Sequence, residues 1–159
     1  MKFSGPLIVV KDMEKSKRFY KEIFGLEIVS DFGANVTFSG PFSLQTKETW
    51  QEFIGKPQEE ILEKSNNFEL YFEVNDLDRL LETLRGYPEI EYVHDVVEYS
   101  WGQRGIRFYD PDGNILEVGE NMEMVTLRLV KQGMPVEDVA EKTMSSVEQV
   151  RLLLKKHEG

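Results

Sequence analysis

One order of elements occurs twice in this chain: an apolar strand, an aspartate, an amphipathic helix, and then short strands divided by turn signals. The two aspartates, Asp12 and Asp76, stand 64 residues apart. A chain with such an internal echo folds as two copies of one supersecondary unit, because each copy carries its own apolar faces to bury.

In the first copy, residues 6–10 form an apolar run rich in β-branched side chains, closed by Lys11 and Asp12. Ser16, Phe19, Tyr20, Ile23 and Phe24 recur at helical spacing on one stripe, and Gly25 stands where a glycine commonly ends a helix. Residues 26–30, 35–38 and 42–45 are three further strand candidates, with turn signals at 31–34 and at Gly40-Pro41. The second copy begins at 68–74, where strict alternation puts Phe68, Leu70, Phe72 and Val74 on one face and Glu69, Tyr71 and Glu73 on the other. Leu77, Leu80, Leu81 and Leu84 rebuild the helical stripe after Asp76, and Gly86 follows it. Glu89-Ile90 echoes Glu27-Ile28 before more strands and the turn Asp110-Pro111-Asp112-Gly113. The pattern predicts an α+β fold of two βαβββ modules, at 1–49 and 68–120.

Residues 50–67 link the modules. They are acidic and marked by Gly and Pro, with Trp50, Phe53, Ile54, Ile61 and Leu62 interspersed, which predicts a partly helical segment over a pocket. Residues 121–159 change character and predict a three-helix appendage. Met122, Val125, Thr126, Leu129 and Val130 form one stripe, Gly133-Met134-Pro135 interrupts it, and Val136, Val139 and Ala140 mark a second helix. The capping-box spacing of Ser145 and Glu148 opens a third through Val147, Val150, Leu153 and Leu154.

Composition excludes several classes. With 40% hydrophobic and 30% charged residues the chain is too apolar for disorder, yet it has no apolar run of membrane-spanning length. The amino end lacks a secretory pattern, so a cytoplasmic protein is expected. Zero cysteines remove disulfides, zinc ribbons, iron–sulfur clusters and thiol catalysis. Residues 1–120 carry 13 basic and 23 acidic side chains, whereas 121–159 carry six of each. That balance disfavours DNA as a partner.

Three segments resemble the vicinal oxygen chelate superfamily, the glyoxalase, bleomycin-resistance and extradiol dioxygenase group. They are Val10-Lys11-Asp12-Met13-Glu14-Lys15-Ser16 with Phe19-Tyr20 and Phe24-Gly25-Leu26; Phe72-Glu73-Val74-Asn75-Asp76-Leu77-Asp78; and Trp101-Gly102-Gln103-Arg104 running into Phe108-Tyr109-Asp110-Pro111-Asp112-Gly113-Asn114-Ile115-Leu116-Glu117. The resemblance spans residues 1–120 and implies that the modules curl into an open barrel around a cavity that receives a small molecule. It also implies a homodimer.

In metal-dependent members of that group, ligands come from the first strand of each module and from the last strand. Glu117 matches the last-strand carboxylate, Glu69 stands where the second module commonly carries histidine, and Gly5 holds the corresponding place in the first. Gly5 offers no side chain, so a histidine-rich ferrous or zinc centre is not expected. Glu69 and Glu117 with the Gln45 carbonyl oxygen would suit a harder cation such as Mg²⁺ or Mn²⁺, and the candidate ions extend to Ni²⁺, Zn²⁺ and Fe²⁺.

Two functional readings follow. In the first, the cavity binds a small molecule with metal chemistry reduced or lost. In the second, the protein is a divalent-metal-dependent lyase, isomerase or dioxygenase-like enzyme, with Glu117 or Glu69 moving a proton. Tyr71, Trp101 and Trp50 offer aromatic faces for a cation, or serve as core and interface aromatics. Arg104 and Arg107 hold an anionic group, or satisfy neighbouring acids. His94 and His157 fall at no ligand position and are expected at the surface. Residues 130–140 and 145–154 resemble a degenerate helix-turn-helix. A ligand-sensing regulator is thus a third reading, although the charge balance favours a docking or dimer-supporting appendage.

Overall fold

The computed structural model describes residues 1–40 and 42–157, so Pro41 of the expected Gly40-Pro41 turn lies outside the described residues, as do the last two residues of the tail. The chain divides into two compact units, residues 1–69 with 109–115, and residues 70–108 with 116 onward.

The first unit contains β1 (Leu7–Val10), α1 (Met13–Phe24), β2 (Ile28–Asp31), β3 (Asn35–Phe38), β4 (Ser43–Thr46) and α2 (Lys47–Ile54), followed by a 3₁₀ turn over Gln58–Glu60. Its sheet has the order β1-β4-β3-β2. β1 runs parallel to β4 with Val10 opposite Thr46, and the other pairings are antiparallel. The helix starts where the sequence places its cap: the Asp12 carboxylate accepts from the Lys15 N–H at 2.9 Å. At the other end the Gly25 N–H donates to the Lys21 carbonyl at 2.9 Å.

The predicted stripe of α1 turns Phe19, Tyr20 and Ile23 inward, where they join buried Ile8, Val10, Val36, Phe38, Phe42 and Leu44. Tyr20 meets Phe42 edge-on at 5.0 Å and Phe19 at 5.3 Å. Its hydroxyl donates to Asp110 at 2.7 Å, because the turn 110–113 of the second repeat packs into this unit. The Lys11 N–H and the Ser16 hydroxyl donate to the Asp112 carboxylate at 2.8 and 2.9 Å. Burial, and then the Asp110 charge, push the Tyr20 hydroxyl well above the usual tyrosine range, so it stays a donor.

The second repeat contains β5 (Glu69–Val74), α3 (Leu77–Leu84), β6 (Tyr92–Glu98), β7 (Arg104–Tyr109) and β8 (Ile115–Glu120). Its sheet, in the order β5-β8-β7-β6, repeats the topology of the first. Asp76 caps α3 as Asp12 caps α1, accepting from the Arg79 N–H at 2.9 Å. β6 begins two residues after Glu89-Ile90, because the Ile90 N–H is already engaged by the Tyr87 carbonyl at 3.1 Å. Leu77, Leu80, Leu84, Ile106, Phe108, Leu116 and Val118 are the buried apolar set of this repeat.

The tail forms three helices, α4 (Met122–Lys131), α5 (Val136–Lys142) and α6 (Val147–His157). They close around Val125, Leu129, Val139, Ala140 and Val150. The architecture is therefore α+β, two βαβββ modules as four-stranded open sheets plus three carboxyl-terminal helices. Among the described residues no helix is long and apolar enough to cross a membrane.

Candidate functional site

Alternation along β7 puts Gly105 and Arg107 on one face of the second sheet, and Arg104, Ile106 and Phe108 on the other. On β8, Glu117 and Gly119 share the first face, and Leu116, Val118 and Glu120 share the second. Ile106, Phe108, Leu116 and Val118 are buried, so the face that carries Arg107 and Glu117 is the polar one.

A continuous network covers that face. Arg107 Nη2 donates to Glu117 Oε2 at 2.5 Å and Nη1 donates to the Tyr99 hydroxyl at 2.5 Å, with His94 Nε2 at 3.4 Å. Tyr99 stacks on Trp101 with centroids 4.6 Å apart and planes 7° from parallel. Trp101 Nε1 donates to Gln103 Oε1 at 3.0 Å, and Gln103 Nε2 donates to the Tyr71 hydroxyl at 3.0 Å and the Glu120 carbonyl at 2.8 Å. The Tyr71 hydroxyl donates in turn to Glu73 at 3.3 Å.

Gly119 lets this network lie close to the sheet. A Cβ there would stand 2.7 Å from Gln103 Nε2 and 3.0 Å from the Tyr71 hydroxyl oxygen. Tyr71 itself is half exposed, so the network ends on an accessible aromatic ring. Burial raises its hydroxyl above the usual tyrosine range; the Gln103 donor opposes this, while Glu73 and Glu117 add to it. The hydroxyl is a neutral donor at neutral pH.

A model of the glyoxalase-like domain matches residues 3–123. The chain belongs to this family. It is accordingly a member of the vicinal oxygen chelate superfamily, as the motif resemblance implies. The chain is 29% identical over 126 residues to the uncharacterized protein YraH of Bacillus subtilis (strain 168), a match covering 74% of this chain and 97% of YraH. A protein of unknown function from Agrobacterium tumefaciens str. C58 is 37% identical with a TM-score of 0.67, covering 76% of this chain and 94% of that one. A glyoxalase/bleomycin resistance protein/dioxygenase from Nocardioides is 26% identical with a TM-score of 0.58, covering 76% and 83%. The glyoxalase-like region thus closes at the start of α4, and most of the tail lies beyond it.

Within this glyoxalase-like domain five of the expected site residues stand on the second sheet or the turn before β7, and three belong to the first unit. Tyr71, Trp101, Arg107 and Glu117 meet in the network just described. Arg104 turns to the opposite side, where Nε and Nη2 bind Glu120 at 2.9 and 2.7 Å and Nη1 reaches Asp78 at 3.1 Å. Gln45, Trp50 and Glu69 belong to the first unit. Gln45 is buried on β4, accepting from Asn35 at 2.8 Å and donating to Thr49. Trp50 lines a cavity of about 500 Å³ together with Leu7, Val9, Ile54, Leu62 and Phe68. Glu69 is exposed at the start of β5.

Sequence reasoning omitted Tyr99, Gln103 and His94 from the site. Gln103 stood inside the quoted motif, but nothing in its residue type announced that it would be buried at 6% exposure and organise both neighbours. His94, expected at the surface, is half-buried beside Arg107.

The side chains present do not fit a family-type metal centre. The Glu117 carboxylate already accepts a hydrogen bond from a guanidinium, whose positive charge stands against a second cation at that oxygen. Gly5 brings no donor, and among the described residues no three His, Cys, Asp or Glu side chains are grouped as a metal would require.

Proposed function

We propose that this glyoxalase-like protein binds a small planar cation on the polar face of its second sheet, without metal chemistry. The observation that carries this reading is the Arg107–Glu117 pair. It occupies the carboxylate that metal-dependent relatives of this fold are expected to use, and it leaves the neighbouring aromatic rings as the recognition surface. Tyr71 and the stacked Tyr99–Trp101 pair present π faces, and Glu73 beside Tyr71 supplies negative charge. The acidic balance of residues 1–120 draws cations toward the protein.

The tail supports this reading over DNA sensing. Of its six basic residues, Arg128, Lys142, Arg151 and Lys156 stand against Glu120, Glu98, Glu137 and Glu123 respectively. We propose a cytoplasmic homodimer as the working form, which native mass spectrometry would count directly.

Calorimetric titration with 1-methylquinolinium, against neutral 4-methylquinoline at pH 8, tests ligand and charge together. Saturable binding of the cation, with much weaker binding of the neutral compound, is expected. Equal binding, or none, removes the cation reading. Native mass spectrometry with Mg²⁺, Mn²⁺, Ni²⁺, Zn²⁺ and Fe²⁺ tests the other half. One ion per subunit, lost in Glu69→Gln and in Glu117→Gln, would restore the metal-dependent enzyme as the better reading.

A further inference from the structure

The three-helix tail lies almost wholly outside the glyoxalase-like region, yet its first helix is joined rigidly to the second sheet. The Asn121 N–H donates to the Val74 carbonyl at 2.8 Å, the Asn121 amide donates to Glu73 at 3.2 Å, and its oxygen caps α4 by accepting from the Glu123 N–H at 2.9 Å. α4 therefore leaves β8 in a defined direction, and its face carrying Val125, Arg128 and Leu129 meets the turn between β6 and β7.

That turn delivers Trp101 and Gln103 to the polar face. Its backbone is closed by two hydrogen bonds, Gly102 N–H to the Tyr99 carbonyl and Tyr99 N–H to the Gln103 carbonyl, each 2.9 Å. At its apex Gly102 has φ of +85°, and a Cβ there would stand 3.0 Å from Lys142 Cε and 3.1 Å from Leu129 Cδ1. Helices α4 and α5 are thus packed against the one residue of the turn that has no side chain.

Arg128 makes the polar part of this contact. Nη2 donates to the Gly102 carbonyl at 2.5 Å and to Glu120 Oε2 at 2.9 Å, while Nη1 lies 3.7 Å from Glu98 at the end of β6. Lys142 of α5 approaches the same Glu98 at 3.7 Å. Arg128 Nε is buried without a hydrogen-bond partner among the described residues. A guanidinium placed only to neutralise Glu120 could satisfy that N–H on the acid. Here Nε goes unsatisfied while Nη2 reaches both the turn carbonyl and the acid.

We propose that the tail is a positioning element for the ligand-binding turn, in which Arg128 holds Gly102 and so fixes the places of Trp101 and Gln103 on the polar face. The proposal rests on the reading of that face as the binding surface, and its test separates the two. Trp50 and Trp101 are the only tryptophans, so the ¹H–¹⁵N spectrum shows two indole signals, assigned by Trp50→Phe. In Arg128→Gln the Trp101 indole signal is expected to shift or broaden while the Trp50 signal stays. The affinity for 1-methylquinolinium is expected to fall about tenfold, the scale of one lost charged hydrogen bond. Arg128→Lys, which keeps the charge but not the fork, is expected to lie between.

A folded Arg128→Gln protein with an unmoved Trp101 signal overturns the proposal, as does a moved signal with unchanged affinity for a cation that the wild type binds. If the wild type binds no 1-methylquinolinium, the binding reading fails and the indole signal alone decides the positioning claim. Should Arg128→Gln not fold, Glu98→Gln carries the same test at an exposed position. A smaller displacement of the same indole signal supports the proposal, and none overturns it.

Discussion

The two repeats share strand order, helix cap and turn chemistry, but they place their aromatic residues differently. In the first, Phe19, Tyr20, Phe38 and Phe42 are buried between α1 and the sheet. In the second, the corresponding interior is mostly aliphatic, built on Leu77, Leu80, Leu84, Ile106, Leu116 and Val118, while Tyr71, Tyr99 and Trp101 lie on the polar face. Rings enclosed on all sides contribute burial and edge-to-face contacts to stability, and the rings on the polar face are the ones the proposed binding reading uses.

The largest effect that could break this contrast is expected at Tyr20. Tyr20→Ala should cost about 3–5 kcal/mol in chemical denaturation, as truncation of a fully enclosed ring does, and should remove one of the donors to Asp110, leaving those from Asp112 and Asn114. A cost near zero would mean that the first repeat does not depend on its aromatic core. Next comes Arg107→Met, which takes the guanidinium from the Glu117 carboxylate in a site where it is 8% exposed and should cost about 3 kcal/mol. The double variant Arg107→Met/Glu117→Leu should recover part of that loss, because it removes the buried carboxylate together with its cationic partner.

Trp101→Ala sharpens the contrast from the other side. It removes one stacked pair and the indole hydrogen bond to Gln103 from a partly exposed site, so stability should fall by about 2 kcal/mol, less than at Tyr20. Binding of 1-methylquinolinium should weaken about tenfold. A larger stability loss with unchanged binding would move Trp101 into the class of Tyr20.

The smallest effect concerns pH. Burial pushes Glu120 upward, but the hydrogen bonds from Arg104, reinforced by Arg128, outweigh it and hold the group below its ordinary value of 4.5. Its stabilising contribution is therefore present in full above that value and is lost as pH falls through the lowered one. Glu120→Gln should flatten this acid limb of a denaturation-against-pH profile and leave the neutral-pH slope unchanged.

Much of this was legible in the residues. The stripes of α1 and α3, their aspartate caps, the repeat itself and the three tail helices all follow from local periodicity, and the structure places them where the pattern does. The candidate site was only partly legible. Arg104 and Arg107 are the same residue type on one strand, and alternation says that they face opposite ways. It does not say which acid each will meet. Glu120 and Glu117 on β8 receive them because of how the two strands register, and that is a property of the assembled sheet.

By itself the sequence determined the elements, their duplication and the family, since these rest on spacing and short motifs that neighbouring residues enforce. Only the tertiary structure decided that the turn at Asp110 closes the first unit, that Gln103 ties Trp101 to Tyr71, and that Arg128 reaches Gly102. Tyr20 and Asp110, Tyr71 and Gln103, and Gly102 and Arg128 stand 90, 32 and 26 positions apart. Such contacts come from strand register and helix packing, which local propensity does not encode.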